Sequence, residues 1–355
     1  RTPKCEIVSG LNGKYYGTTA EGGAHNAGVI FSWDSVSGEY AEPYDFNLTD
    51  GTDARGGMVL YKGKLYGMTN AGGANNMGTL YSWDLNTGTF QKKIDFDSLN
   101  GKNPQGSLTL VDSIFYGFTY AGGLHNKGIL FTWNPATNAF TKKFDFDSVN
   151  GSNPVGKLVH FNGKLYAMTT NGGDFNIGVI YEWNLSTNSV TRKFNFNNID
   201  GAHPMGYLSL FNNKMYGITS GGGLYQSVVP VPAGVIFEFN PVTGVFAWKK
   251  DMGGLFSSTY RRNCNSITSL TLRGNVFWGT TTAGISLGGN FSWNPTTNVF
   301  ADHLYNGFAQ CEIDRVDHGM TGMGALFLSG DLLLGTNSEG GGHMAGCIYK
   351  YSPDS

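Results

Sequence analysis

Charged residues are scarce in this chain, and neither sign dominates. Only 14% of the 355 residues are charged, with 24 Lys and Arg against 26 Asp and Glu, a formal net charge of −2. Proteins that bind duplex nucleic acid normally carry a clustered basic excess that neutralises phosphates. The charge balance therefore argues against nucleic acid as a partner.

Long apolar runs, helical patterns and catalytic motifs are also missing. No apolar run approaches the ~20 residues of a membrane-spanning helix, so we expect no transmembrane segment. No segment has a sustained apolar period of 3.6 residues, which predicts few helices. The sequence contains no Walker loop, HExxH or dinucleotide fingerprint, and its Gly-x-Ser-x-Gly segment at 284–288 is not followed by the helical pattern that a nucleophile elbow requires. It has no CxxC or Cys/His spacing typical of zinc. We therefore expect neither a cofactor nor a metal site.

Glycine is abundant, and its pairs recur every 50 residues. The chain has 53 glycines, and pairs begin at Gly22, Gly72, Gly122, Gly172 and Gly222. A tryptophan follows eleven residues later in the first four copies, and a tyrosine comes six residues earlier in all five. These residues are Trp33, Trp83, Trp133 and Trp183, with Tyr16, Tyr66, Tyr116, Tyr166 and Tyr216. Two weaker copies around Trp278 and Leu334 bring the number of repeats to seven.

Each repeat is predicted to form four short strands. In the third copy, apolar and β-branched segments at 106–110, 114–119, 128–133 and 139–144 are separated by turn residues. Seven such repeats predict an all-β, seven-bladed β-propeller of four-stranded antiparallel blades, occupying 1–355 as one domain. We expect the Trp rings to fill the seams between blades, and a neighbouring blade to approach the glycine of the Tyr-Gly step on the second strand. The last blade lacks its outer strand or borrows one from residues 1–4.

Several segments resemble a known repeat family. The segments at 65–69, 72–73, 78–83 and 100–106 resemble the tandem GloVer-type repeat, and the double glycine before an aromatic strand is also similar to the kelch repeat. The resemblance covers nearly the whole chain but weakens in the last three copies, where Phe239 or Tyr351 replaces the tryptophan. It implies a propeller carried by secreted or surface-anchored bacterial proteins. It implies no defined chemistry, because such repeats occur in both binders and enzymes.

The four cysteines bear on the cellular compartment. Strand order places all four on one face and favours two disulfides, Cys5 with Cys347 and Cys264 with Cys311; the alternative is four free buried thiols. Disulfides, low charge and many Asn, Ser and Thr favour the extracellular space, the cell surface or the periplasm. Because Arg1 is not a starting methionine, an export signal is expected to have been removed.

One face of the propeller is expected to carry the binding residues. The loops between second and third strands share this face with the connectors between blades. Three of these loops carry a histidine (His25, His125 and His343); these residues either form a polar rim or are scattered surface histidines, and the second alternative is favoured. The asparagine at the next position in the first four copies is expected to lock the loop. The Asp-rich connectors are similar to calcium loops in their oxygen spacing, but the closing Glu is missing, which favours plain Asn-Gly turns.

Three insertions that interrupt the repeat are the strongest functional signal. They lie at 225–232, 251–264 and 311–320 and are predicted to converge on one sector of the same face. Their aromatic residues are suited to stacking on sugars, and their arginines to pairing with acidic groups. The candidate ligand-binding residues there are Tyr225, Phe256, Tyr260, Arg261, Arg262, Arg315 and His318.

Two functions from different classes fit these residues. The first is a non-catalytic module that binds a glycan or a cell-surface protein. The second is a polysaccharide lyase acting on uronic-acid chains, in which Arg261 neutralises the substrate carboxylate and Tyr260 or His318 moves the proton. A third alternative is a purely structural surface or filament protein. The absence of any catalytic motif favours the binding module.

Overall fold

The computed structural model describes residues 2–224, 234–252, 265–266, 269–282, 289–303, 325–337 and 347–353. The strands in these ranges form seven antiparallel sheets, and the ranges contain no α-helix. None of the described residues belongs to a helix long and apolar enough to cross a bilayer. The predicted seven-bladed β-propeller is therefore confirmed.

The first four blades each contain four strands. Blade 1 comprises β1 (Val8–Ser9), β2 (Lys14–Thr18), β3 (Val29–Asp34) and β4 (Tyr40–Asp45). Blade 2 comprises β5 (Val59–Tyr61), β6 (Lys64–Thr69), β7 (Thr79–Asp84) and β8 (Thr89–Asp95). Blade 3 comprises β9 (Thr109–Val111), β10 (Ile114–Thr119), β11 (Ile129–Asn134) and β12 (Ala139–Asp145). Blade 4 comprises β13 (Ser152–Phe161), β14 (Lys164–Asn171), β15 (Val179–Asn184) and β16 (Ser189–Asn195).

The last three blades follow the same order with small variations. Blade 5 comprises β17 (Ala202–Phe211), β18 (Lys214–Gly221), β19 (Val235–Phe239) and β20 (Phe246–Asp251). Blade 6 comprises an inner strand in two pieces, β21 (Asn265–Ser266) and β22 (Thr271–Arg273), then β23 (Val276–Thr282), β24 (Gly289–Trp293) and β25 (Phe300–Asp302). Blade 7 comprises β26 (Phe327–Ser329), β27 (Leu332–Asn337) and β28 (Cys347–Tyr351). The expected loss of the outer strand is confirmed within the described part of the chain, where this sheet has three strands.

Aromatic rings from both sides fill the seams between blades. Trp133 of blade 3 is 1% exposed, and its ring centroid lies 5.6 Å from that of Tyr66 in blade 2. Its indole N–H donates a hydrogen bond of 3.1 Å to Asn138. The next seam repeats the contact, with Tyr116 and Trp183 at 5.4 Å. Because an aromatic side chain buries roughly 150–250 Å², each seam gains several kcal/mol from its rings.

The glycine of the second-strand Tyr-Gly step, replaced by Ala167 in blade 4, has a different role from the one expected. Gly117 is paired with Phe131 across β10 and β11, and a Cβ on Gly117 would lie 2.5 Å from that ring. At Gly17 the corresponding distance to Phe31 is 2.3 Å. The expectation that a neighbouring blade approaches here is wrong, because a cross-strand ring of the same blade occupies the space.

Neighbouring blades instead approach most closely at a glycine near the axis. A Cβ on Gly106 of blade 3 would lie 2.3 Å from the carbonyl oxygen of Gly156 in blade 4. The same carbonyl accepts a 3.0 Å hydrogen bond from the Ser107 amide. Gly56 and Gly156 make equivalent approaches to Gly106 and Gly206, at 2.2 and 2.0 Å. Backbone therefore touches backbone around the inner ring, where a side chain has no space.

Blades 7 and 1 pack together through an apolar cluster. Trp33 of blade 1 is buried against Leu334 and Ile348 of blade 7. Pro3 forms an antiparallel bridge with Thr19, so it extends the inner part of blade 1. The alternative in which residues 1–4 supply an outer strand to blade 7 is therefore wrong for the part of that segment that the structure describes.

Cys5 is a free and fully buried thiol. It accepts a 3.1 Å hydrogen bond from the Thr18 amide and donates one of 3.3 Å to the Thr18 carbonyl. Burial raises the pKa of the Cys5 thiol, which keeps it protonated. The expected Cys5–Cys347 disulfide is therefore not formed. Cys264 and Cys311 lie outside the described residues, and their pairing stays a prediction.

Candidate functional site

The predicted binding face is formed by backbone segments that are fixed to one another. Strand order places the glycine-pair loops (70–78, 120–128 and 170–178) and the connectors between blades (46–51, 96–101, 146–151 and 196–201) on the same side, which we call the upper face. The Gly123 amide of blade 3 donates a 2.9 Å hydrogen bond to the Ser98 carbonyl of the preceding connector. Gly173 and Ser148 repeat this bond at 2.7 Å. Each connector is thus tied to the loop of the next blade.

The repeated asparagine locks each loop, as expected. Asn126 has a φ of 55°, and its side-chain oxygen accepts a 3.1 Å hydrogen bond from the Gly122 amide. Asn26, Asn76 and Asn176 make the equivalent bond in their blades. Asp145, at the end of β12, accepts a second bond of 2.7 Å from the Leu124 amide. The loop tips are therefore presented by a rigid backbone.

The carboxylates of the connectors accept hydrogen bonds within turns. The Asp97 side chain accepts hydrogen bonds from the Leu99 and Asn100 amides, at 2.8 and 2.6 Å. Burial opposes ionisation, but these bonds outweigh it and lower the pKa of Asp97. No group of three potential metal ligands occurs among the described residues. The geometry supports the plain-turn interpretation of these connectors.

Large apolar side chains project from the upper face. Four successive connectors each present one aliphatic side chain, at equivalent places in three of them and one position earlier in the first, and each of three loops adds another. These residues are Leu48, Leu99, Val149 and Ile199 in the connectors, with Leu124, Phe175 and Leu224 in the loops. Each is between 58% and 74% exposed. We call this set the apolar rim. These side chains recur in the loops and connectors of one face, and an exposed apolar patch of this kind is typical of interaction sites.

The predicted ligand residues are only partly described. His25 and His125 are exposed at loop tips of the upper face, but blade 2 lies between them, and its loop carries Asn75. The structure therefore does not bring the two imidazoles together in one pocket. The other predicted ligand residues lie outside the described ranges and stay predictions: Tyr225, Phe256, Tyr260, Arg261, Arg262, Arg315, His318 and His343.

A charged cluster at the axis was not anticipated. Lys157 of blade 4 places its ammonium 3.1 Å from the Glu6 carboxylate of blade 1. The same ammonium lies 3.8 Å from the ring centroid of Tyr207 in blade 5. The Tyr207 hydroxyl donates a 3.2 Å hydrogen bond to Glu6. Blades 1 and 4 are not neighbours, so these side chains meet across the central channel.

The axial cluster is suited to bridging blades. Burial, reinforced by the Glu6 charge, raises the pKa of Tyr207 well above its ordinary value, so the phenol stays a neutral donor. Glu6 and Lys157 neutralise each other and keep 22% and 30% of their side-chain surface exposed. A signal for this cluster exists in the sequence. The residue that follows the glycine near the axis (Gly56, Gly106, Gly156 or Gly206) changes from blade to blade, whereas this glycine and the apolar residue on the other side are nearly constant.

A family model and several solved structures match the chain. The model described as the Gloeobacter/Verrucomicrobia repeat matches residues 2–230 and again 152–312. Among curated proteins, none has a sequence that matches this chain.

The similar solved structures agree in fold. The extracellular domain of a candidate one-component system from B. thetaiotaomicron has a TM-score of 0.64 at 12% identity; the match covers 99% of this chain, which spans 38% of the length of that one. A chain of the mitotic checkpoint complex has a TM-score of 0.58 at 12% identity; the match covers 99% of this chain and 92% of that one. A prolyl endopeptidase has a TM-score of 0.57 at 11% identity; the match covers 100% of this chain and 49% of that one. At such identities these similarities show the fold alone.

Proposed function

This chain belongs to the Gloeobacter/Verrucomicrobia repeat family, and on that premise we propose that it is a non-catalytic binding module of the cell surface or extracellular space. It recognises a protein or glycan partner through its upper face. The observation that carries the proposal is the apolar rim, since its side chains are exposed while their backbone is fixed. A rigid surface loses little conformational entropy when a partner binds.

The chemistry of the apolar rim favours a protein partner over a glycan. Six of its seven members are aliphatic, and aliphatic side chains are buried best against apolar protein surface. Sugar rings stack on aromatic faces, and Phe175 is the aromatic member. The glycan interpretation therefore depends on Tyr225, Phe256 and Tyr260 of the insertions.

The proposed location outside the cell rests on composition and fold. Charged residues are few and polar uncharged residues are many. The similarity in fold to an extracellular domain supports the same location. Because the Cys5 thiol is free, one of the two predicted disulfides no longer supports an oxidising location. The predicted Cys264–Cys311 disulfide is the one that still supports it.

Charges placed on the apolar rim are expected to weaken binding strongly. We expect Leu99→Asp, Leu124→Asp and Phe175→Asp together to weaken partner binding about tenfold or more, because each buries a carboxylate in the interface. The control carries Leu11→Asp, Val36→Asp and Val242→Asp, which replace strongly exposed apolar residues in turns of the opposite face. Both triple variants should unfold near the wild-type temperature, since surface substitutions change stability little.

Binding is measured with the immobilised protein against a glycan array and against cell-envelope proteins of the producing organism. Loss with the upper-face variant alone supports the proposal. Equal loss with both variants, or no loss with either, contradicts it. If neither array nor envelope proteins bind the wild-type protein, the structural alternative is favoured.

A further inference from the structure

Blades 4 and 5 each hold a buried carboxylate at the same place in the repeat. In blade 4, Glu182 accepts a 2.7 Å hydrogen bond from the Tyr166 hydroxyl and one of 2.8 Å from the Lys164 ammonium. Lys193, on the outer strand, lies 3.6 Å from the same carboxylate. A tyrosine hydroxyl and two ammonium groups thus surround one acidic group.

Blade 5 repeats this arrangement with different residue numbers. Glu238 accepts hydrogen bonds from Tyr216 at 2.9 Å and from Lys214 at 2.8 Å, and Lys249 lies 3.3 Å away. Burial opposes ionisation of both glutamates, but the hydrogen bonds and nearby ammonium groups outweigh it and lower the pKa of each. The repeat therefore has a place that is built to hold an ionised carboxylate.

Blade 3 keeps two of these donors but has no acid between them. Tyr116 and Lys143 occupy the positions of Tyr166 and Lys193, whereas Thr132 stands in the position of Glu182. Within the described part of the chain, Lys143 forms no ion pair and the Tyr116 hydroxyl has no hydrogen-bond partner. Blade 3 thus has the donors without the acceptor.

A cavity of about 360 Å³ opens at this place, in the seam between blades 3 and 4. Tyr116, Thr132 and Lys143 line it from blade 3, and Trp183 and Leu185 line it from blade 4. Its volume lies within the range of small-molecule sites, about 300–1,000 Å³. The strand ends that surround it point to the face opposite the apolar rim, so the cavity is separate from the proposed docking surface.

The burial of the tyrosine sets this seam apart. The corresponding tyrosines Tyr66 and Tyr166 are buried, at 6% and 2% exposure, whereas Tyr116 is half-buried. Burial, together with the charge of Asp112, raises the pKa of Tyr116, so its hydroxyl is protonated and can donate at neutral pH. The donor is therefore both competent and accessible from the cavity.

We propose that the cavity between blades 3 and 4 is a binding site for a small molecule that carries a carboxylate. The ligand carboxylate takes the place that Glu182 and Glu238 fill in the next two blades, where it meets the Lys143 ammonium and the Tyr116 hydroxyl. The body of the ligand lies against Trp183 and Leu185. Hydrogen bonds to charged groups are stronger than neutral ones, which makes the carboxylate the recognised group.

The test uses acids paired with neutral counterparts and variants of blade 3. Phenylacetate is compared with phenylacetamide, and D-galacturonate with D-galactose, by titration calorimetry on the full chain. Lys143→Met removes the ammonium, and Thr132→Glu supplies an internal carboxylate that occupies the site. Lys93→Met changes the equivalent lysine of blade 2, which donates to Gln91 and does not line the cavity.

We expect at least one acid to bind about tenfold or more tightly than its neutral counterpart. The pair that shows the difference tells whether the ligand body is aromatic or a sugar. Both Lys143→Met and Thr132→Glu should lose this binding, and Lys93→Met should keep it. If the Thr132→Glu variant unfolds near the wild-type temperature, its loss of acid binding is not caused by loss of the fold.

Three results would overturn the proposal. One is that neither acid binds the wild-type chain at millimolar concentration. Another is that an acid binds no better than its neutral counterpart. The last is that the Lys143→Met variant binds the acid as tightly as the wild-type chain does.

Discussion

Replacing Trp133 by alanine should lower the free energy of unfolding by about 3–5 kcal/mol. The indole is 1% exposed, packs against Tyr66 of the preceding blade and stacks on Phe115 at 5.8 Å. Its removal leaves a cavity in the seam and deprives Asn138 of a hydrogen bond. The loss of stability combines the lost burial of the ring with the incomplete collapse of the protein around the cavity.

Trp248→Ala is the matched control for this variant. Trp248 is a tryptophan of the outer strand β20 and is 38% exposed, so its loss should cost about 1 kcal/mol or less. Denaturant unfolding followed by circular dichroism measures both variants. A cost for Trp133→Ala no larger than that for Trp248→Ala would show that the seam rings do not hold the blades together.

Gly106→Ala is expected to cost about 3 kcal/mol, the upper end of the usual range for overpacking. The added Cβ would lie 2.3 Å from the Gly156 carbonyl oxygen and 2.5 Å from the Phe118 ring. The carbonyl belongs to the backbone of the next blade and cannot rotate away. Gly106 does not have a positive φ, so the substitution reports the contact rather than backbone strain.

Gly163→Asn serves as the control for this second variant. Gly163 has a φ of 71° and no atom within 4 Å of an added Cβ, and Asn213 occupies the equivalent turn of blade 5 with a φ of 59°. We expect its thermal unfolding to match that of the wild-type chain. Wild-type stability in Gly106→Ala would contradict the close approach of the inner strands.

The fold was predictable because its packing repeats in the sequence. Tyrosine, glycine pair and tryptophan recur every 50 residues, and the predicted strand at 114–119 coincides with β10 (Ile114–Thr119). The errors concern contacts that depend on strand register and burial, which the spacing of the repeat does not specify. The ring of Phe131 covers Gly117 because the two are paired across strands, and the buried Cys5 thiol exchanges hydrogen bonds with the Thr18 backbone.

The candidate binding surfaces and the axial cluster were harder to predict because they lie where the repeat varies or where loops project. The cluster of Glu6, Lys157 and Tyr207 joins positions that are distant in sequence, and it becomes visible when equivalent positions are placed around one axis. Leu99 and its counterparts were apparent as turn residues, but their exposure depends on how the connector is hydrogen-bonded. The cavity at blade 3 could be interpreted only by comparison with the side-chain contacts of blades 4 and 5.

A zero-length cross-link between Glu6 and Lys157 tests the closed ring most directly. The two groups lie 3.1 Å apart although they are 151 positions apart in sequence, and only blades around a common axis bring them together. Carbodiimide coupling followed by peptide mass spectrometry should recover this cross-link. It should also recover the cross-link between Lys164 and Glu182, which lie in one blade. Recovery of the Lys164–Glu182 link without any Glu6–Lys157 link would contradict the closed propeller.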